Sequence, residues 1–161
     1  MKIRVIDNFL DPLLNEVMFE NYLKNEPHYL SAASKNATKE TNFYISKLNS
    51  KDYLIQYIHY KISKEILKRP TSLLRVYSNI QHKEMDGSFH IDDGDITVLY
   101  MLSKTPNNKG GSFEYKDSQG KIKIVPFKQN RLIIFKGIEH RGCGPIDHVP
   151  RITVAFKLKL T

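Results

Sequence analysis

The stretch Arg151-Ile-Thr-Val-Ala-Phe-Lys-Leu-Lys-Leu160 constrains this chain more than any other. Side chains alternate between the two faces of a strand, so Ile152, Val154, Phe156, Leu158 and Leu160 share one side while Arg151, Thr153 and Ala155 share the other. One side is an apolar stripe that must pack on a hydrophobic layer. The other turns a guanidinium, a hydroxyl and a small residue together toward a cavity.

The remaining segments supply the layers such a strand needs. Lys2 to Ile6 alternates as a short strand, Asp11 can cap a helix, and Pro12 suits that helix's first turn. Leu14, Val17, Met18 and Tyr22 recur at helical spacing and predict one face on the core. A second helix is predicted from about Ser50 to Lys68, with Leu54, Ile58, Ile62 and Ile66 as its stripe and Pro70 as its stop. His59 lies beside that stripe and reads as a helix-surface histidine. Residues 25–42 hold Pro27, His28 and the Ser31–Thr38 run, carry no period, and read as an irregular connection.

From Leu73 onward short strands take over: Leu73–Asn79, Thr97–Leu102, Ser112–Lys116, Lys121–Val125 and Arg131–Phe135, with Asp117-Ser-Gln-Gly120 as a hairpin signal. The expectation is a mainly β, α+β domain spanning 1–161: a double-stranded β-helix of jelly-roll or cupin type, with two N-terminal helices packed on one sheet.

Composition narrows the classes. No apolar run approaches the roughly 20 residues of a membrane span, so a soluble, cytoplasmic protein without a membrane partner is expected. The single cysteine, Cys143, excludes an internal disulfide and reads as a loop thiol. The net charge of +8 comes mostly from lysines scattered from Lys2 to Lys159, which describes a solvated surface better than a base-reading one.

The chemistry concentrates between Asp86 and Asp92, Asp-Gly-Ser-Phe-His-Ile-Asp, and again at His140 and Arg151. On extended backbone His90 and Asp92, two apart, point the same way and can grip one ion. His140 is the best third ligand because it follows the apolar run Arg131–Phe135 and the turn Lys136-Gly137. Two histidines and a carboxylate leave part of an octahedral metal open, the arrangement expected of non-haem Fe(II) sites. Arg151 offers a planar fork suited to a carboxylate held beside that metal.

The ordered set His90-x-Asp92, His140, Arg151-x-Thr153 resembles the Fe(II)- and 2-oxoglutarate-dependent dioxygenases, and specifically their prolyl 4-hydroxylase-like branch. The opening Val5-Ile-Asp-Asn-Phe-Leu-Asp-Pro12 and the double glycine Gly110-Gly111 are similar to features of that branch, so the likeness spans nearly the whole chain. The resemblance implies Fe(II) on His90, Asp92 and His140. It implies 2-oxoglutarate held by Arg151 with help from Thr153 and Tyr77, O2 as co-reactant, succinate and CO2 as products, and ascorbate as an accessory reductant. The implied substrate is a prolyl residue in a peptide or protein, with a free amino acid or other small molecule as the alternative. A nucleic-acid demethylase is disfavoured, because such enzymes carry a further arginine where this chain has Lys157. A non-catalytic β-barrel binding module would be favoured only by a missing ligand. Asp86, Asp93 and Asp95 read as turn residues, one of which could orient His90, and Arg141 is left unassigned.

Overall fold

The computed structural model describes residues 3–24, 27–32, 42–104 and 110–161. Among these residues ten strands and two α-helices, the second prolonged by a π-helical segment, follow one another as β1 (Arg4–Ile6), α1 (Pro12–Lys24), β2 (Tyr29–Ala32), β3 (Asn42–Lys47), α2 (Tyr53–Lys61), β4 (Thr71–Gln81), β5 (Ile96–Met101), β6 (Phe113–Lys116), β7 (Ile122–Val125), β8 (Arg131–Phe135), β9 (His140–Gly142) and β10 (Arg151–Leu160). A seven-stranded sheet in the order β1-β8-β5-β10-β4-β3-β2 faces a three-stranded sheet in the order β7-β6-β9. Every pairing is antiparallel. This is the expected double-sheet architecture, with β10 at the centre of the larger sheet.

The two faces of β10 divide as the alternation predicts. Val154, Phe156 and Leu158 join Met18 of α1, Ile55 and Ile58 of α2 and Ile62 in the core behind the sheet. Ala155 belongs to a second core between the sheets, with Leu99, Met101, Phe113, Ile133 and Phe135. Burying a side chain of this size is worth about 1.5–3 kcal/mol, so two cores on opposite sides of one strand fix its register firmly.

Local chemistry sets the helix ends. The Asp11 carboxylate accepts from the Leu13 N–H at 2.9 Å, as a cap should. Asp52 caps α2 by accepting from Leu54 and Ile55. Past Lys61 the helix continues as wider π-helical turns through Leu67, then stops at Lys68 in the left-handed region. The second helix is therefore regular only over its first half. In α1 the expected stripe is displaced: Met18 is fully buried, but Val17 is exposed, and Asn15 takes an interior position.

Three features were not legible in the pattern. Part of the 25–42 stretch, read as irregular, forms strand β2, which pairs with β3 at the edge of the large sheet, while residues 33–41 lie outside the described set. β9 is a three-residue strand built on His140 itself. The third is a polar knot: Asn130, at φ 61°, donates to the Leu10 carbonyl at 2.7 Å and accepts from the Leu10 N–H at 2.8 Å. The buried Tyr100 hydroxyl donates to Asn15 and lies 2.9 Å from the Asn130 side-chain oxygen. Among the described residues no helix is long and apolar enough to cross a membrane.

Asn130→Ala removes both clasps on Leu10 and places alanine where asparagine tolerates a positive φ. It should lower stability by about 2 kcal/mol, read as a reduced denaturant midpoint at unchanged m; an unchanged midpoint would show that the knot is incidental.

Candidate metal centre

Two main-chain hydrogen bonds bring the candidate ligands together. His90 N–H donates to the His140 carbonyl at 3.0 Å, and His140 N–H returns the bond at 2.9 Å. The imidazoles consequently lie side by side, ring centroids 4.5 Å apart. His90 forms only this isolated bridge, and Asp92 sits in the loop that follows rather than in a regular strand. The ligand atoms of His90 and Asp92 nonetheless converge on one point with His140.

Each imidazole is oriented by its far nitrogen. His90 Nδ1 lies 2.9 Å from the Ser88 carbonyl and His140 Nδ1 3.0 Å from the Ile138 carbonyl. A carbonyl can only accept, so both Nδ1 atoms carry the proton and both Nε2 lone pairs are left for a metal. The two Nε2 atoms lie 3.5 and 3.4 Å from the two oxygens of Asp92. Ligand atoms at roughly 2.1 Å from one octahedral ion stand about 3 Å apart, so a small adjustment seats a cation. The three residues form the His/Cys/Asp/Glu cluster of metal-binding type among the described residues. None of the neighbouring acids orients His90: Asp86 accepts from Gly144 N–H, Asp93 pairs with Arg75, and Asp95 accepts from Leu160 N–H.

The electrostatics favour a cation. Burial against Phe113 and Phe135 pushes the His140 pKa down to about 4, keeping it neutral and ligand-competent. Burial opposes protonation of His90 too, but the contacts with Asp92 and the Ser88 carbonyl outweigh it and lift its pKa. Burial also works to raise Asp92, yet its contacts with His90, Lys157 and His140 hold the carboxyl well below the usual range. Thr97 donates to Asp92 at 2.9 Å, and the Lys157 ammonium is in direct contact with the same oxygen.

Arg151 is 2% exposed. Its Nε donates to the Gly111 carbonyl at 2.8 Å, and its NH1 donates to Gln81 and approaches Thr153 at 3.5 Å. No carboxylate among the described residues pairs with it, and burial lowers its pKa to about 10. A buried cation without an anion is costly unless a ligand supplies one. Nearby, the Asn79 side-chain oxygen is buried without a partner. The double glycine has a role here: Gly110 and Gly111 both adopt positive φ, which lets the Gly111 carbonyl reach the guanidinium. On the opposite sheet, a Cβ at Gly142 would come within 2.9 Å of Gln81 and 3.0 Å of Arg151.

Both groups open into one cavity of about 760 Å³ between the sheets. Its floor is ruled by strand register. Asn79 lies opposite Thr153, Tyr77 opposite Ala155, and Arg75 opposite Lys157 on β4 and β10, and Lys157 opposite Thr97 on β5. Tyr77 therefore lines the cavity between Arg151 and the metal cluster, and burial raises its phenol pKa. Sequence reasoning missed Gln81, Asn79 and Lys157, although even spacing from Arg151 and Tyr77 put all three on the cavity face. His59 hydrogen-bonds Thr71, His82 packs edge-on to Tyr44, Arg141 pairs with Glu114 over the Phe89 ring, and Cys143 is half-buried beside Ser112. These four, with His148, stay outside the cluster.

The fold has clear relatives. It is similar to a 2-oxoglutarate–Fe(II) oxygenase family oxidoreductase from Burkholderia pseudomallei (TM-score 0.76, 10% identity, 98% of this chain and 84% of that one). It is also similar to a viral collagen prolyl hydroxylase from Paramecium bursaria chlorella virus 1 solved with 2-oxoglutarate (TM-score 0.74, 15% identity, 100% and 97%). A non-haem α-ketoglutarate-dependent epimerase of nogalamycin biosynthesis matches at TM-score 0.70 and 10% identity over 96% and 76%. No family model matches the sequence, and no curated protein matches it, so the likeness is one of fold.

Removing one imidazole should empty the centre without unfolding it, because the Asp92–Lys157 pair is untouched. His90→Ala is expected to weaken Mn(II) binding at least 100-fold by titration calorimetry with little change in melting temperature. Asp92→Ala strands a buried ammonium and should in addition cost about 3 kcal/mol of stability. Wild-type Mn(II) affinity in either variant would remove these residues from the ligand set.

Proposed function

We propose that this protein is an Fe(II)- and 2-oxoglutarate-dependent oxygenase that hydroxylates its substrate. One observation carries the reading: a two-histidine, one-carboxylate cluster and a buried arginine without an acidic partner among the described residues open into the same cavity. Iron held there, with 2-oxoglutarate and O2, supplies the oxidising chemistry that yields succinate, CO2 and a hydroxylated product.

The chain's own residues bind and orient. The His90 and His140 Nε2 atoms and the Asp92 carboxylate hold the ion, with Ser88, Ile138 and Thr97 fixing their directions. Arg151 receives the far carboxylate of the cosubstrate, aided by the Thr153 hydroxyl. Gln81 and the Gly111 carbonyl keep the fork aimed by occupying its other hydrogens. Asn79 and Tyr77 line the path between that end and the metal. Phe113 stacks on His140 and Phe135 packs against it at a tilt, giving the ring an apolar wall on that side.

For the substrate we take a prolyl residue in a peptide or protein as the leading reading. The chain's resemblance to the prolyl hydroxylase-like branch supports it, as does its likeness in fold to a viral collagen prolyl hydroxylase. A free amino acid or other small molecule is the second reading, and the basic side chains Lys47, Arg75 and Lys157 in the cavity wall favour an acidic one.

Two experiments address this. Iron-loaded protein given 2-oxoglutarate, O2 and a proline-rich peptide should release succinate and add one oxygen to the peptide by mass spectrometry. Succinate without peptide oxidation would move the search to other substrates, and neither product from folded, iron-loaded protein would reject the oxygenase reading. Separately, Arg151→Gln should weaken 2-oxoglutarate binding to the Mn(II) protein by about 2–5 kcal/mol, roughly thirty-fold or more, while Mn(II) affinity is retained. Gly142→Ala should do the same more mildly by pressing on the guanidinium.

A further inference from the structure

Lys157 is a buried cation that steadies the Asp92 carboxylate but, unlike Arg151, is answered by no charge that the metal or the cosubstrate would bring. It is 1% exposed and lies on the same face of β10 as Arg151, six residues along, or roughly 20 Å of strand. Its ammonium touches Asp92 and lies 3.2 Å from the Thr97 hydroxyl. The candidate metal centre therefore sits at its end of the cavity, with the arginine at the other.

The charges lining the cavity do not balance. Among the described residues Lys47, Arg75, Arg151 and Lys157 are cationic, and only Asp92 and Asp93 are anionic. Arg75 and Asp93 satisfy each other through a two-bond pair. A divalent metal adds two positive charges, and dianionic 2-oxoglutarate removes two, so the loaded cavity keeps the original excess of two. Arg151 is answered by the cosubstrate. Asp92 must then be shared between a metal and Lys157, which leaves a buried ammonium short of negative charge. Lys47, beside Tyr77 in the register, has no carboxylate partner among the described residues and adds a second positive charge near the same end.

From this imbalance, and resting on the oxygenase reading, we infer that the primary substrate carries a carboxylate that lodges against Lys157, with Lys47 drawing it in. The carboxylate must be a terminal group, because only a slender end can reach a side chain so enclosed. The α-carboxylate of a small acid and the side chain of an acidic residue beside the target of a peptide both fit. A duplex backbone phosphate does not.

The test uses protein loaded with Mn(II) and saturating 2-oxoglutarate, with binding followed by calorimetry. One probe set pairs free L-amino acids, proline included, with their carboxamides. The other pairs short end-capped proline peptides carrying glutamate with the same peptides carrying glutamine. At least one carboxylate should bind ten-fold or more tightly than its amide partner. A hit in the first set identifies a small acid, and one in the second an acidic peptide. Lys157→Gln should bring the carboxylate-to-amide ratio close to one, with a much smaller change in 2-oxoglutarate affinity, and Lys157→Arg should restore part of it. Should Lys157→Gln fold poorly, Lys47→Gln, at an exposed site, should still lower the ratio about three-fold. The inference is overturned if no carboxylate binds, if amides bind equally well, if the ratio survives in Lys157→Gln, or if that variant loses 2-oxoglutarate affinity instead. Failure of the wild type to take up Mn(II) and 2-oxoglutarate would sink the oxygenase reading, and this inference with it.

Discussion

The reciprocal main-chain hydrogen bonds between His90 and His140 are the constraint on which the site depends. They join the loop between β4 and β5 of the large sheet to β9, an edge strand of the small one, and so tie the two sheets together. Peptide groups cannot be mutated away, so the spacing of the imidazoles is set by backbone rather than by side-chain packing. Everything else is aimed at that point. Ser88 and Ile138 fix the ring nitrogens, Thr97 and Lys157 fix the carboxylate, and β10 carries Arg151 to the far end of the same cavity.

The molecule carries an electrostatic cost that packing alone does not explain. Two long cationic side chains, Arg151 and Lys157, are almost completely buried on one strand, and burial lowers the pKa of both. A core built for stability would place aliphatic residues there, as the opposite face of β10 does. Local rules are broken in this way where a protein binds something, because the ligand supplies the missing charge. The buried, unpartnered Asn79 oxygen in the same wall is a second violation of the same kind.

Much of the architecture was legible because it is written in period-two alternation. β4, β5, β8 and β10 are long, half-apolar or wholly apolar, and bounded by turns, so their positions follow from the pattern. His90, Asp92, His140 and Arg151 were legible as an ordered set of rare chemistry. What failed has physical reasons. β2 and β9 span four and three residues, and β9 is held by its partner rather than by its own propensity. The π-helical end of the second helix keeps its apolar spacing while changing its hydrogen bonds, which sequence periodicity does not register. Gln81, Asn79 and Lys157 share the cavity face by even spacing along their own strands, but what each meets there is set by cross-strand register, a property of two segments. Lys157 in particular looked like a missing arginine, whereas it is a buried charge in contact with a candidate ligand.

The central claim is that one ion and one dicarboxylate are held together between these sheets. A crystal structure of the protein with Mn(II) and 2-oxoglutarate, using anomalous scattering to locate the metal, tests it most directly. The account predicts a single manganese bound by the Nε2 atoms of His90 and His140 and a carboxylate oxygen of Asp92, with the far carboxylate of 2-oxoglutarate against the Arg151 guanidinium. Manganese at any other ligand set, or an ordered cosubstrate that leaves Arg151 untouched, would contradict it.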